Sequence, residues 1–169
     1  MSLLIETERL LLDEFAPDRD ELFIFQLLNE PGYLDNIGDR DITNLDAARV
    51  YIQAVPLKSY ADHGHGLWRV RDKATDEVIG MCGLIRRDGL EFPDIGYAFL
   101  EIAWGRGYAT EAAAASLDYG RRVLGLPQIV GITALDNAAS VRVLEKIGFK
   151  FDRIITLPGR DDESRLFVG

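Results

Sequence analysis

The chain carries few of the residues that do reactive chemistry. Among its 169 residues are one cysteine, Cys82, and two histidines, His63 and His65. A lone cysteine excludes an intrachain disulfide framework and fits a reducing, cytoplasmic setting. Both histidines fall in "HGHG" (63–66). A closed metal site needs about four ligands, so no metal is expected there, and they read as flexible loop histidines beside glycines. No apolar run approaches the roughly 20 residues of a membrane span. "MSLLIETERL" has no basic region ahead of an apolar stretch, so no signal peptide is read from it. Basic residues are in the minority, 19 Lys and Arg against 28 Asp and Glu, for a net charge of −9. That balance argues against a nucleic-acid partner and leans weakly toward cationic or amine-bearing substrates. No repeat, low-complexity segment or Gly/Ser-rich linker divides the chain. One domain over residues 1–169 is expected.

What is present is a mixed series of periodic segments. Strands are expected at 9–15, 66–72, 77–87, 94–100, 128–135, 149–157 and 164–169, on alternating or β-branched apolar content. Cys82 falls inside the second of the central strands and reads as packing. Helices are expected at 17–29, where Pro17 opens the segment and Leu22, Phe25 and Leu28 recur at helical spacing. Further helices are expected at 44–55, with Asn44 as cap, at 106–123, with an alanine run that packs close to a sheet, and at 137–149, ended by Gly148. The order β-α-α-β-β-β-α-β-α-β-β indicates an α+β domain with a mixed sheet.

One stretch needs a special explanation. "AWGRGYATEA" (103–112) places two glycines one residue apart where a strand gives way to a helix. Glycine serves where the backbone bends sharply or approaches something closely, and a helix N-terminus is an anion site. A P-loop would need Lys followed by Ser or Thr after its glycine, and neither is there. A dinucleotide fingerprint would need a third small residue, which Thr110 only imitates, and an acid about 20 residues on. The first acid at a strand end, Asp136, lies too far away. A tight turn with no ligand stays open.

"WGRGYA" (104–109) resembles the pyrophosphate loop of the GNAT superfamily of N-acetyltransferases, Q/R-x-x-G-x-G/A, with Trp104 in the first position. "DNAASVRVLEKIGFK" (136–150) resembles a second motif of that superfamily, N-x-x-S-x-x-v-x-x-K-x-G-F. "ETERLLL" (6–12) and "IGYAFL" (95–100) are similar to its ribosomal-protein N-terminal acetyltransferase branch. The resemblance covers nearly the whole chain in order and spacing. Glu101 replaces a frequent proline, and Leu144 stands where some members carry a catalytic tyrosine, which excludes that acid here.

The resemblance implies a single domain with a mostly antiparallel sheet flanked by helices, in which a splayed strand pair holds acetyl-CoA. It implies acetyl transfer to a primary amine, of a protein N-terminus or a small molecule, directly in a ternary complex. Main-chain amides over Trp104, Gly105, Arg106, Gly107, Tyr108, Ala109 and Thr110 would cradle the pyrophosphate. Tyr97, Ala98 and Phe99 would pair with the pantetheine arm or polarise the acetyl carbonyl. Asn137 would contact the cofactor and also reads as an N-cap, and Arg142 would meet a CoA phosphate or sit in solvent. Ser140 would serve as acid toward the thiolate, or be only a helix-start residue satisfying backbone amides. Asp94 would be the acidic base position, or a solvated strand-end acid. The loop "NIGDR" (36–40) falls where acceptor-binding loops are built, with Asn36 or Asp39 able to meet an amine and a solvated turn as the plainer reading. "DDES" (161–164) reads as a hairpin turn. Homodimers are common in the branch.

The chemistry is undemanding. A free α-amine with a pKa of about 8 is roughly one-tenth neutral at pH 7, and a thiol near 8.5 leaves with little protonation help. A hydroxyl and a carboxylate therefore suffice without a catalytic histidine. Alternatives remain a CoA-binding sensor that has lost transfer and an interaction domain with no ligand.

Overall fold

A computed structural model describes residues 3–169; Met1 and Ser2 of the N-terminal stretch lie outside the described residues. In chain order the elements are β1 (Ile5–Glu6), β2 (Leu10–Asp13), α1 (Pro17–Leu28), α2 (Pro31–Asn36), α3 (Leu45–Ile52) and α4 (Lys58–His63). The second half holds β3 (Leu67–Asp72), β4 (Val78–Ile85), β5 (Asp94–Phe99), α5 (Tyr108–Arg122), β6 (Val130–Ala134), α6 (Ala138–Lys146), β7 (Lys150–Ile155) and β8 (Ser164–Val168). They form an α+β domain around one eight-stranded sheet in the order β1-β2-β3-β4-β5-β6-β8-β7. Every neighbouring pair is antiparallel except β5 and β6.

Local chemistry sets most boundaries. Pro17 sits at the start of α1, and the buried Asp20 carboxylate accepts from the Ala16 amide at 2.8 Å, which steadies the first turn. The helix buries Ile24, Leu27 and Leu28; Leu22, expected on that face, is 65% exposed. Asn44 caps α3 by accepting from the Ala47 amide at 2.8 Å. The helix expected to end at residue 55 runs on through a π-turn (Gln53–Leu57) into α4. Pro56 lies inside that turn. A proline has no amide to donate and its ring crowds the preceding turn, so the wider i→i+5 winding accommodates it without ending the helix. A further short helix, α2, was not expected from the sequence.

Helices cover both faces of the sheet. On one face α5 and α6 press against Trp68, Cys82, Leu84 and Phe167. Ala112 and Ala113 are fully buried, and a Cβ added at Gly120 would lie 2.6 Å from Leu84, so α5 sits close on the strands. On the other face α1 and α3 cover Leu67, Met81 and Ala98. The alternation of Leu67 with Trp68, and of Met81 with Cys82, is the period-two pattern of strands buried on both sides.

His65 is a correction to the loop reading of "HGHG". It is buried, and its Nδ1 lies 2.8 Å from the Leu84 carbonyl, so the ring donates there. Burial holds its pKa below the ordinary value, with that hydrogen bond opposing. Among the described residues no group of metal-ligating side chains gathers, and no helix is long and apolar enough to cross a membrane.

A buried ionic cluster fastens α1 to the sheet. Arg69 on β3 donates through Nε to Asp13 at 2.6 Å and through Nη1 to Asp20 at 3.1 Å. All three side chains are nearly inaccessible. Removing Arg69 would leave the two carboxylates buried, with Arg71 at 3.1 Å the only cation on Asp13 and Arg19 at 2.8 Å the only one on Asp20. Arg69→Met is expected to lower the unfolding free energy by about 3–5 kcal/mol in chemical denaturation. A loss below about 1 kcal/mol would contradict this reading of the cluster.

Candidate functional site

The site begins where β5 and β6 part. Their pairing consists of one register contact, Asp94 with Val130, beside the Val130 amide donating to Pro93 O at 2.9 Å. Beyond it the strands diverge. On the opposite edge of β5, the Leu100 amide donates to Ile79 O at 2.9 Å. The alternation of an antiparallel ladder then commits the Ala98 and Gly96 main chains to β4 and turns those of Ile95, Tyr97 and Phe99 toward the gap. This corrects the expectation for Ala98, whose side chain lines the site but whose backbone pairs with Met81. Phe99 is half committed, since its carbonyl accepts from Trp104 Nε1 at 2.9 Å. Tyr97 faces the gap with both its amide and its carbonyl.

The glycine stretch closes one end of the gap. Gly105 and Gly107 have φ of 77° and 79°, the left-handed region that glycine enters without strain. Gly107 is the N-cap of α5 and offers no side chain to it, so the first-turn amides at Tyr108, Ala109 and Thr110 have no capping partner. Nothing lies within 4 Å of a Cβ position on Gly105. The loop is held from behind by residues far away in sequence. Arg9 Nη1 donates to the Arg106 carbonyl at 2.9 Å, and Arg9 Nε donates to Glu111 Oε1 at 2.7 Å. The Thr7 hydroxyl donates to the other Glu111 oxygen at 2.5 Å. Burial would raise the Glu111 carboxyl, but Thr7 and Arg9 outweigh it and hold it below the usual range. The Arg9 guanidinium also lies over the Tyr108 ring, 4.4 Å from its centroid. Sequence reasoning noted "ETERLLL" only as a resemblance and missed this clamp.

The loop, the open edge of β5 and the start of α6 enclose a groove of about 660 Å³. Tyr97, Ala98, Phe99, Trp104, Gly105, Gly107, Tyr108, Ala109, Thr110, Asn137, Ser140 and Arg142 all line it. Arg106, exposed in the loop, does not, and Lys146, not expected from the sequence, lines the groove as a second cation beside Arg142. Open helix-start amides with two cations suit a phosphate-bearing, elongated ligand such as coenzyme A. Trp104 packs its ring on α2: a Cβ on Gly32 would come within 2.3 Å of it.

A second cavity, about 360 Å³, opens on the α1–α3 side of β5 and meets the groove at Tyr33, Asn36, Ile37, Tyr97, Ala98, Asn137 and Ser140. At that junction Tyr97 Oη donates to Ser140 Oγ at 3.0 Å. Burial pushes the Tyr97 phenol up to about 12, against the Ser140 hydrogen bond, so it stays protonated and donates. Asn137 Oδ1 accepts from the Ser140 amide at 3.2 Å and caps α6 while lining the groove. Asp94 lines the second cavity at 1% exposure and accepts from Arg87 Nε at 3.0 and 3.2 Å. Burial raises its carboxyl to about 6, with Arg87 opposing. Asp94 and Tyr97 point to opposite faces of β5, so acid and base candidates address one opening from two sides.

The expected loop 36–40 contributes differently from the reading above. Asp39 spends its carboxylate on the Asp41 amide at 2.8 Å and lines neither cavity. Asn36 lines both, and Arg40 lines the second. Cys82 and both histidines line neither. Burial pushes the Cys82 thiol up to about 12, which removes it as a nucleophile.

Comparison with known proteins agrees with this architecture. A family model described as an acetyltransferase (GNAT) domain matches residues 9–150. The uncharacterized protein YkkB of Bacillus subtilis is 34% identical over 146 residues, covering 82% of this chain and 80% of that protein. The crystal structure of an acetyltransferase from Agrobacterium tumefaciens superposes with a TM-score of 0.81 at 27% identity, over 100% of this chain and 94% of that one. A ribosomal-protein-S5-alanine acetyltransferase from Vibrio fischeri shares the fold at a TM-score of 0.80 and 17% identity, over 99% and 96% of the two chains. With the family model spanning most of its length, on a sheet opened between β5 and β6, the chain belongs to the GNAT acetyltransferase family.

Proposed function

We propose that the protein is an acetyl-CoA-dependent N-acetyltransferase that moves an acetyl group to a primary amine directly, in a ternary complex. The observation that carries the reading is the meeting of two cavities at Tyr97 and Ser140, one floored by open helix-start amides and the other holding a buried carboxylate. Bound acetyl-CoA would supply the thioester acyl group and a thiolate leaving group. The Tyr108–Thr110 amides, Arg142 and Lys146 would hold its phosphates. The free Tyr97 amide would support negative charge developing on the acyl oxygen. Burial of the one cysteine, Cys82, away from both cavities supports direct transfer over a cysteine-bound acyl intermediate.

Proton handling divides between two groups. Ser140 Oγ accepts from the Tyr97 hydroxyl, which leaves its own proton free to be donated to the departing sulfur. Asp94, with its carboxyl near 6, is ionised at neutral pH and takes the proton of the acceptor ammonium, directly or through water. Acetyl-CoA should bind in the micromolar range by calorimetric titration, and absence of binding to folded protein would sink the proposal.

Two predictions concern the acid and base. Ser140→Ala should lower kcat by about 10- to 100-fold, the low end for acid catalysis because the thiol is already acidic. Tyr97→Phe should cost less, and nothing further once Ser140 is alanine; additive losses in the double variant would show that the hydroxyls act separately. The pH profile tests Asp94. Because its carboxyl is raised, the base form is lost as pH falls, so kcat/KM should drop about tenfold per pH unit below about 6. Asp94→Asn should lower kcat/KM and abolish that limb, leaving only the rise set by the acceptor amine. A limb near 6 that survives in Asp94→Asn would assign the base elsewhere.

A further inference from the structure

The charge in the second cavity is opposite in sign to that of the chain. The molecule carries a net −9, yet the charged residues lining this cavity are Arg40, Arg87, Arg160 and one carboxylate, Asp94. The lean toward cationic substrates read from composition is therefore reversed where an acceptor would lie. Arg160 is neutralised by a bidentate pair with Asp162 at 3.0 and 2.7 Å. Arg87 gives only its Nε to Asp94, and its two terminal nitrogens have no hydrogen-bond partner among the described residues. Arg40, from the loop after α2, has no carboxylate partner among the described residues.

The two guanidiniums act on the same pair of phenols. Tyr33 and Tyr51 line the cavity, burial raises both above the ordinary phenol value, and Arg40 and Arg87 pull against that rise in each. The phenols thus remain donors, and the one carboxylate lining the cavity, Asp94, takes only the Arg87 Nε among them, so donors outnumber the anion there. A second polar atom waits on the β6 side. Thr133 lines the cavity at 5% exposure, and its Oγ1 is buried without a hydrogen-bond partner. A buried hydroxyl left unpaired is costly and marks a place for a polar ligand group or water.

We propose that the acceptor is a small amine bearing a carboxylate of its own, an amino acid in chemical class, with the carboxylate held between Arg40 and Arg87 and the amine directed toward Asp94 and Ser140. Guanidinium groups match a carboxylate in shape and charge, and they would repel a polyamine. A cavity of about 360 Å³ has room for roughly a dozen water-sized groups, which suits one amino acid. The inference rests on the acetyltransferase reading above.

Initial rates of thiol release from acetyl-CoA test it, with the twenty protein amino acids run against their α-amides and against spermidine. At least one amino acid should exceed its amide by tenfold or more in kcat/KM and should exceed spermidine. Arg40→Gln, an exposed substitution, should raise KM for that amino acid at least tenfold while leaving kcat within about twofold and acetyl-CoA affinity unchanged. A preference for amides or spermidine, or an unchanged KM in Arg40→Gln, would overturn the inference. Protein that binds acetyl-CoA but acetylates none of the amino acids overturns it too and leaves cofactor binding intact. Folded protein that does not bind acetyl-CoA removes the acetyltransferase reading itself, and the inference with it.

Discussion

Everything at the site depends on the single parallel pairing in the sheet. β5 and β6 run side by side, so the chain must cross over between them, and α5 is that crossover. Their pairing is limited to Asp94 against Val130, after which the strands part. Three consequences follow from that geometry. The main chain of Tyr97 is left without a partner, α5 begins beside the carboxyl end of β5, and α6 begins beside that of β6. A ligand with phosphates at one end and a hydrogen-bonding arm at the other finds amides for both. Crevices at the carboxyl ends of strands are where open sheets generally bind ligands.

The gap also separates charge. On the α5–α6 side, helix-start amides, Arg142 and Lys146 face the groove. On the α1–α3 side, Asp94 sits among arginines in a small, partly enclosed cavity. Burial sets the protonation of the groups between them. It keeps the Tyr97 phenol a donor and raises Asp94 to where it ionises just below neutral pH. The groove is shaped from behind by contacts that touch no ligand: Thr7 and Arg9 on Glu111, Arg9 on the Arg106 carbonyl, and the Trp104 ring on Gly32. These couple the N-terminal strands and α2 to the loop, so the fold and the site are one structure.

Where a segment's conformation was decided by its own residues, the sequence made it legible. Asn44 and Asn137 are caps in the structure as in the sequence, and Gly105 and Gly107 stand where positive φ is needed. Two glycines followed by an alanine-rich helix mark a sharp strand-to-helix turn, and the resemblance of residues 104–109 and 136–150 to one family turns that mark into an expected groove. The parts that escaped are those set by distant partners. Arg9 and Glu111 lie 102 residues apart, and nothing near either announces the other. His65 sits between glycines, so it resembles a loop residue, yet the Leu84 carbonyl across the sheet draws it inside. Arg40 gave no signal, because only the fold gathers it with Arg87, Tyr33 and Tyr51 around one cavity. Pro56 would ordinarily stop a helix, and only packing of the continuous α3–α4 segment reveals the π-turn that lets it pass.

Amide exchange followed residue by residue, with and without acetyl-CoA, tests most directly whether the parted strands and the glycine loop are a cofactor site. The expected result is slowed exchange at the Tyr97 amide and at Tyr108, Ala109 and Thr110, with Ala98 already slow in both states because β4 holds it. Binding that leaves those amides unchanged, or no binding to folded protein, would contradict the placement of the ligand between β5 and β6.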